Sequence, residues 1–336
     1  MRQQSRGFFI KIDIKRPYLS GFCKVITAAR VGGDYQRLPS FITVKYSLNF
    51  RKCQAILSAF KHKIRLVPEP AFSYIPLANT LKGARTLETP LLISALIVYG
   101  ISLLLYHRQN SRSAYLVLLA ALVLHFGGLV ARSVIARHPP FTNMYETFVL
   151  LPFLVALRTA FWKGSFSDRF RKILIGTIMV ILIIALLLPQ SMKIPKPLMP
   201  ALNSIWMYIH VPAYFFGYMA MIIAAGYAML ILLKKEAVVP ENIVRRMDNE
   251  VKIAFFFLTV GLITGGIWAY ASWGNYWAWD PKETWALINI LVLAFYFHLN
   301  VATKQKKAVV VIIALLSIAF TYWGVSFILS GLHSYA

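Results

Sequence analysis

Eight apolar runs, each of roughly twenty residues, constrain this chain more than any other feature. They fall near 89–106, 113–131, 147–162, 173–190, 206–233, 251–270, 285–302 and 308–330. At about 1.5 Å per residue, a helical run of this length crosses about 30 Å of hydrocarbon. Inside lipid every backbone N–H and C=O must be satisfied within the protein, and a helix does this segment by segment. The expected fold is an all-α polytopic membrane protein with about eight transmembrane helices. The third run is short, and the fifth, at almost thirty residues, is predicted to extend beyond the bilayer on one side. Composition agrees, since 58% of residues are hydrophobic and 14% charged, against about 25% charged in soluble domains.

The net charge of +24 raises the question of nucleic acid. The basic residues are scattered between apolar runs rather than gathered on one module, which argues against it. Membrane orientation explains them better. Arg108, Arg112, Lys163, Arg169, Arg171, Lys172, Lys234, Lys235, Arg245, Arg246, Lys252, Lys304, Lys306 and Lys307 lie in alternate short loops, whereas the intervening set holds Arg132, Arg137, Lys193, Lys196 and Lys282. The richer set belongs in the cytoplasm. Both termini, the loop at 138–146 and the connection near 271–284 are then expected outside.

Residues 1–87 read differently. They carry many Lys and Arg against Asp13, Asp34 and Glu69, with no apolar run long enough to span and no clean signal peptide. Phe41–Tyr46 has strand character, but nothing there builds a core. The chain is expected to divide into a basic extension, 1–87, disordered or outside the functional protein, and a transmembrane domain, 88–336. A chain starting near Lys82 is expected to insert and work. Cys23 and Cys53 both precede the first run and match no Cys-x-x-Cys spacing, so dithiol chemistry must come from a partner.

Residues 268–285 hold five of the eight tryptophans, Trp268, Trp273, Trp277, Trp279 and Trp285, interleaved with Tyr270 and Tyr276. An aromatic belt at two helix ends is the plain explanation. A belt does not need so many rings in one short connection, whereas a large flat ligand does. The segment Trp273-Gly274-Asn275-Tyr276-Trp277-Ala278-Trp279-Asp280-Pro281-Lys282-Glu283-Thr284-Trp285 resembles the tryptophan-rich "WWD" signature of haem-handling proteins in c-type cytochrome maturation. Ser330-Gly331-Leu332-His333-Ser334-Tyr335 and His138-Pro139-Pro140-Phe141-Thr142-Asn143-Met144-Tyr145-Glu146 are similar to the CcsA type of the two-component system II. The likeness runs from about residue 88 to the end.

The histidines fall into a pattern against this frame. His210 opens the fifth run and His333 follows the eighth, both on the side of the tryptophan loop. Two imidazoles can hold a haem iron axially while aromatic rings cover the macrocycle, although a lone histidine at a helix end is more often an interfacial hydrogen-bonding residue. His125 and His298 sit inside apolar runs, where an ionisable group is costly and a functional candidate. The plainer alternative for each is an interhelical hydrogen bond. Counting about 1.5 Å per residue, their depths differ by roughly 8 Å, within reach of one tilted macrocycle. Gly127 and Gly128 would leave room for a flat ligand or serve close helix packing. His138, His62 and His107 read as solvated or structural. Asp280, Lys282 and Glu283 fit either a haem propionate or a charged turn opening the seventh run.

The resemblance implies a protein that binds haem b, carries it to the outer face and presents it for attachment to apocytochrome c. It implies axial ligands His210 and His333, a membrane haem site at His125 and His298, and a loop carrying Trp273, Trp277, Trp279, Asp280 and Trp285 over the macrocycle. The thiols of a Cys-x-x-Cys-His segment would add across the haem vinyl groups, so that this chain supplies position rather than a nucleophile. The implied setting is a bacterial inner membrane or a thylakoid. A CcsB (ResB) type membrane protein would complete the cytochrome c haem lyase. Two alternatives remain open at this point: a loader passing haem to a separate chaperone, as the CcmC type does, and a transporter of another hydrophobic cargo.

Overall fold

The computed structural model describes residues 75–162, 166–196, 198–233, 239–299 and 303–329, with side chains of the first helix from Leu87. The basic extension up to residue 74, the strand-like segment 41–46, both cysteines, His62 and His333 lie outside them. Eight main helices follow one another: α1 (Ile75–His107), α2 (Ser111–Ala136), α3 (Met144–Phe161), α4 (Asp168–Leu187), α5 (Met207–Leu232), α6 (Glu241–Trp273), α7 (Pro281–His298) and α8 (Lys304–Ala319). A π turn, Phe320–Gly324, and a last helical turn, Val325–Ile328, prolong α8. The expected boundary at residue 87 falls inside the continuous helix α1.

The helix starts follow from their sequences. Asn110, Asn143, Ser167, Asp280 and Thr303 each cap a helix by accepting a backbone N–H of its first turn. Among the described residues seven helices are long and apolar enough to cross a membrane, namely Leu87–His107, Ser111–Ala136, Met144–Phe161, Asp168–Leu187, Met207–Leu232, Glu241–Trp273 and Lys304–Ile328. This is one fewer than the eight expected. The missing one is α7, whose 18 residues carry Lys282 and Glu283 in the first turn and include Asn289, which shortens its apolar stretch. The longest membrane helix is also not the expected one, for α5 has 26 residues and α6 has 33. The charged first turns of α6, from Glu241 to Lys252, hid its length from a reading of apolar runs.

Helix α5 is the axis of the bundle. It packs against α3, α4, α6 and α8, and from Ala213 to Ile231 nearly every residue is buried. A helix apolar on all sides belongs inside such an assembly. Around it, α1 packs on α2 and α4, α3 on α2 and α4, and α7 on α6 and α8.

The connections gather at two ends. At one end Arg132 donates to Lys193 O at 2.6 Å, His138 Nε2 bonds Lys196 O at 3.2 Å, Trp268 Nε1 donates to Ala201 O at 2.9 Å, and Phe141 meets Tyr208. Ser111 bonds Asp168, Arg158 pairs with Glu250 at 2.6 Å, and Lys304 with Glu241 at 3.0 Å at the other. Tyr296 near the close of α7 bonds Asp248, so α7 runs from the first end to the second. The loops poor in Lys and Arg therefore share one end.

A buried network of charges lies inside the first end. Glu146 is 0% exposed, and its carboxylate accepts Arg132 Nε (3.0 Å), Thr142 N and Oγ1 (both 2.9 Å) and Asn143 Nδ2 (3.1 Å). Arg132 also faces Glu88 at 3.8 Å, and Tyr145 donates to Glu88 at 2.9 Å. Removing one partner of a buried pair leaves an uncompensated charge and costs about 3–5 kcal/mol. Arg132→Met is expected to lower the thermal midpoint of the detergent-purified protein by several degrees, while Arg108→Met, at an exposed site, leaves it unchanged; equal midpoints for the two variants would refute this role for Arg132.

Candidate haem-binding site

A cavity of about 190 Å³ opens among the connections of the first end. Its walls come from Phe141 to Met144 before and within α3, from Met207, His210, Tyr214 and Tyr218 on α5, from Leu262, Gly265, Gly266 and Trp268 on α6, from Tyr276 and Trp277 in the tryptophan loop, from Lys282 and Glu283 on α7, and from Tyr322 and Ser326 beyond α8. Aromatic faces dominate. His210 meets Tyr214 edge-on at 5.0 Å and lies nearly parallel to Trp268, with centroids 5.9 Å apart. Tyr214, Tyr218 and Tyr322 continue the row at 5.7 and 6.1 Å.

The hydrogen bonding of His210 sets its chemistry. Its Nδ1 lies 2.8 Å from Gly261 O. A carbonyl only accepts, so Nδ1 carries the proton, and in the neutral ring Nε2 holds a lone pair. This is the tautomer of a metal-ligating histidine whose second nitrogen is tied to the backbone.

The tryptophan loop divides into supports and wall. Gly274 ends α6 with φ +83° and bonds back to Tyr270 O, a left-handed conformation that favours glycine. Trp273 packs on Trp268 at 4.8 Å, and the two sit with Leu202 and Met207 in a small core beneath the cavity. Tyr270 and Tyr276 stack at 4.3 Å. Trp277 faces the cavity, and Trp279 stands against it at 5.8 Å but is 72% exposed. Trp285 packs on Phe320, away from the cavity lining.

The charges of the loop hold the loop itself. Asp280 caps α7 and accepts Lys282 N at 2.9 Å, while Glu283 Oε2 receives Ala278 N at 2.8 Å and Asp280 N at 3.2 Å. This reciprocal capping box fixes the start of α7 and is worth on the order of 1 kcal/mol. Lys282 lies in the cavity wall, where burial lowers its ammonium pKa and Asp280 opposes the shift.

The other expected histidines lie elsewhere. His125 is wholly buried between α1 and α3: Nε2 donates to Val149 O at 3.0 Å and Nδ1 accepts from Tyr99 Oη at 3.2 Å, with Phe153 edge-on. Gly128 beside it is a packing contact, since a Cβ there would lie 2.6 Å from Leu92 Cδ2. His298 is exposed in the last turn of α7, with Nδ1 donating to Ala294 O at 2.8 Å. The two sit on helices with different neighbours, α2 beside α1 and α3, α7 beside α6 and α8. His138 is tied to Pro139 O and Lys196 O, a structural role. His333 lies outside the described residues; Ser326, in the last described turn before it, lines the cavity.

Sequence reasoning missed Gly261, Gly265, Tyr214, Tyr218 and Tyr322. The Gly-x-x-x-Gly spacing at 261–265 inside an apolar run was the one available signal for the first two.

Residues 141–333 match the family described as Cytochrome C assembly protein. The chain is 34% identical over 215 residues to the cytochrome c biogenesis protein CcsA of Chlamydomonas reinhardtii, spanning 59% of this chain and 61% of that one. Against its counterpart from Chlorella vulgaris it is 30% identical over 253 residues, covering 62% and 80%, and against that of Guillardia theta 31% over 229, covering 58% and 76%. Among solved structures, the cytochrome c haem lyase CcmF superposes with a TM-score of 0.55 at 18% identity, covering 76% of this chain and 48% of that one, a likeness of fold. The chain belongs to the cytochrome c assembly protein family, as an integral membrane protein of the CcsA type in cytochrome c biogenesis.

Proposed function

We propose that this protein binds haem in the cavity beneath the tryptophan loop and presents it at the outer face of the membrane for attachment to apocytochrome c. The observation that carries this reading is His210: its Nδ1–H is fixed to Gly261 O, which makes Nε2 the acceptor nitrogen of the neutral ring, and the ring lines an aromatic cavity at the end of the bundle that holds the loop. Flat rings around a planar apolar ligand and one imidazole for its iron are what a haem needs. The CcsA-named relatives support the same direction. His333 is proposed as the opposite axial ligand, and Ser326 in the cavity wall supports it by its nearness in sequence.

In the proposed attachment each thiol of a Cys-x-x-Cys-His segment adds across one vinyl group. Sulfur bonds one vinyl carbon, hydrogen the next, and the C=C becomes a single bond, with no oxidant consumed. The chain's own part is to hold the macrocycle so that its vinyl edge meets the incoming peptide. Trp277 would cover the ligand, whereas the exposed Trp279 would meet the peptide or a partner. A loader passing haem to a chaperone would use the same cavity; formation of holocytochrome by this chain with its CcsB-type partner alone separates the two.

The enclosed His125, with both nitrogens engaged, supports a packing role in this conformation. The exposed His298 supports a different arrangement from the intrachain pair: a ligand for it would come from a second membrane protein, proposed as the CcsB (ResB) type. The poverty of Lys and Arg in the loops of the first end supports placing that end outside.

Three measurements check this. His210→Ala is expected to abolish cytochrome c assembly and to loosen haem in the purified protein, with added imidazole restoring part of both; wild-type haem content and assembly in that variant would refute the ligand. Trp277→Ala should weaken haem binding about tenfold, the loss of roughly 1.4 kcal/mol of stacking, while Trp279→Ala binds haem normally and assembles less cytochrome. The reverse pattern in the absorption titration would exchange their roles. For the membrane pair, His298→Ala should lower the haem delivered to the cavity and His125→Gln should not.

A further inference from the structure

The Gly261-x-x-x-Gly265 spacing reads first as a plain site of close helix packing, but the rings that occupy it give it a second use. A Cβ added at Gly265 would lie 2.6 Å from His210 Nδ1 and closer still to its Cε1; one added at Gly261 would lie 2.8 Å from Tyr214 Cδ2. His210 and Tyr214 are one turn apart on α5, as the two glycines are on α6. The groove therefore seats side chains rather than a facing backbone. In it the imidazole finds the Gly261 carbonyl at 2.8 Å on one edge and the Trp268 face nearly parallel, 15° from its plane. Tilt and tautomer of the ring are thereby set by α6 before any ligand arrives.

We propose that Gly265, with the carbonyl of Gly261, is a positioning device that holds His210 in the Nδ1–H tautomer and aims its Nε2 at the iron. The proposal rests on the reading of His210 as the iron ligand. Any side chain at 265 displaces the ring from its slot and breaks the bond to Gly261 O, while the helices still have their other contacts. Loss of a hydrogen bond that orients a metal-bound histidine typically costs about 10–100-fold in affinity.

The test uses the full chain in detergent, with 15N-labelled histidine and iron protoporphyrin IX as the probe. In the ligand-free wild type, His210 should show the nitrogen shifts of the Nδ1–H form; the Nε2–H form would overturn the proposal, and this arm requires no variant to fold. Gly265→Ala should mix the tautomers and raise the haem dissociation constant about 10–100-fold with helical content unchanged. Gly176→Ala on α4, where an added Cβ meets nothing within 4 Å, should leave both readouts at wild type. If His210→Ala binds haem as tightly as wild type, the ligand reading itself fails. If His210→Ala loses haem while Gly265→Ala keeps wild-type affinity and tautomer, the positioning proposal alone fails.

Discussion

A carboxylate with no exposure to solvent is tolerable only when every lone pair is used, and Glu146 meets that condition through four donors. Two of those donors come from Thr142 and one from Asn143, which themselves form the cavity wall. Arg132 carries the same network to Glu88 on α1 and to the turn after α4. One buried charge thus ties α1, α2, α3 and the α4–α5 connection into a rigid rim. The aromatic cavity needs such a rim, because the loops that build it have little regular structure of their own.

The opposite wall is held by different means. Trp273 and Trp268 form a small core with Leu202 and Met207, and the Asp280–Glu283 box fixes the start of α7. Between them the loop turns back over the cavity with Gly274 and Trp279 in left-handed conformations. A tryptophan-rich signature therefore contains two kinds of residue. Trp273, Trp285 and Asp280 hold the loop in place, and Trp277 faces the space it encloses.

Periodicity and length sufficed for the eight helices, because a membrane helix satisfies its own backbone and announces itself by composition alone. The helix starts at Asn110, Asn143, Ser167, Asp280 and Thr303 are equally readable from capping residues. The misjudged elements were those with charges at their ends. Helix α6 begins ten residues earlier than its apolar run because Glu250 and Asp248 find partners in Arg158, Tyr296 and Lys307 on neighbouring helices. Of the site, His210 was legible from its place at a helix start beside the loop. Its tautomer was not, since that depends on a carbonyl 51 positions away.

By itself the sequence determined an all-helical membrane chain, the grouping of its loops by charge and the concentration of aromatic residues in one connection, since each follows from composition within one segment. Tertiary structure decided which aromatic residues face the cavity and which hold it, because that depends on contacts between helices far apart in the chain. It also decided that His125 is enclosed by Tyr99 and Val149 while His298 stands exposed, although the sequence places both in apolar runs. Burial and partners are properties of neighbouring helices, and a single helix does not carry them.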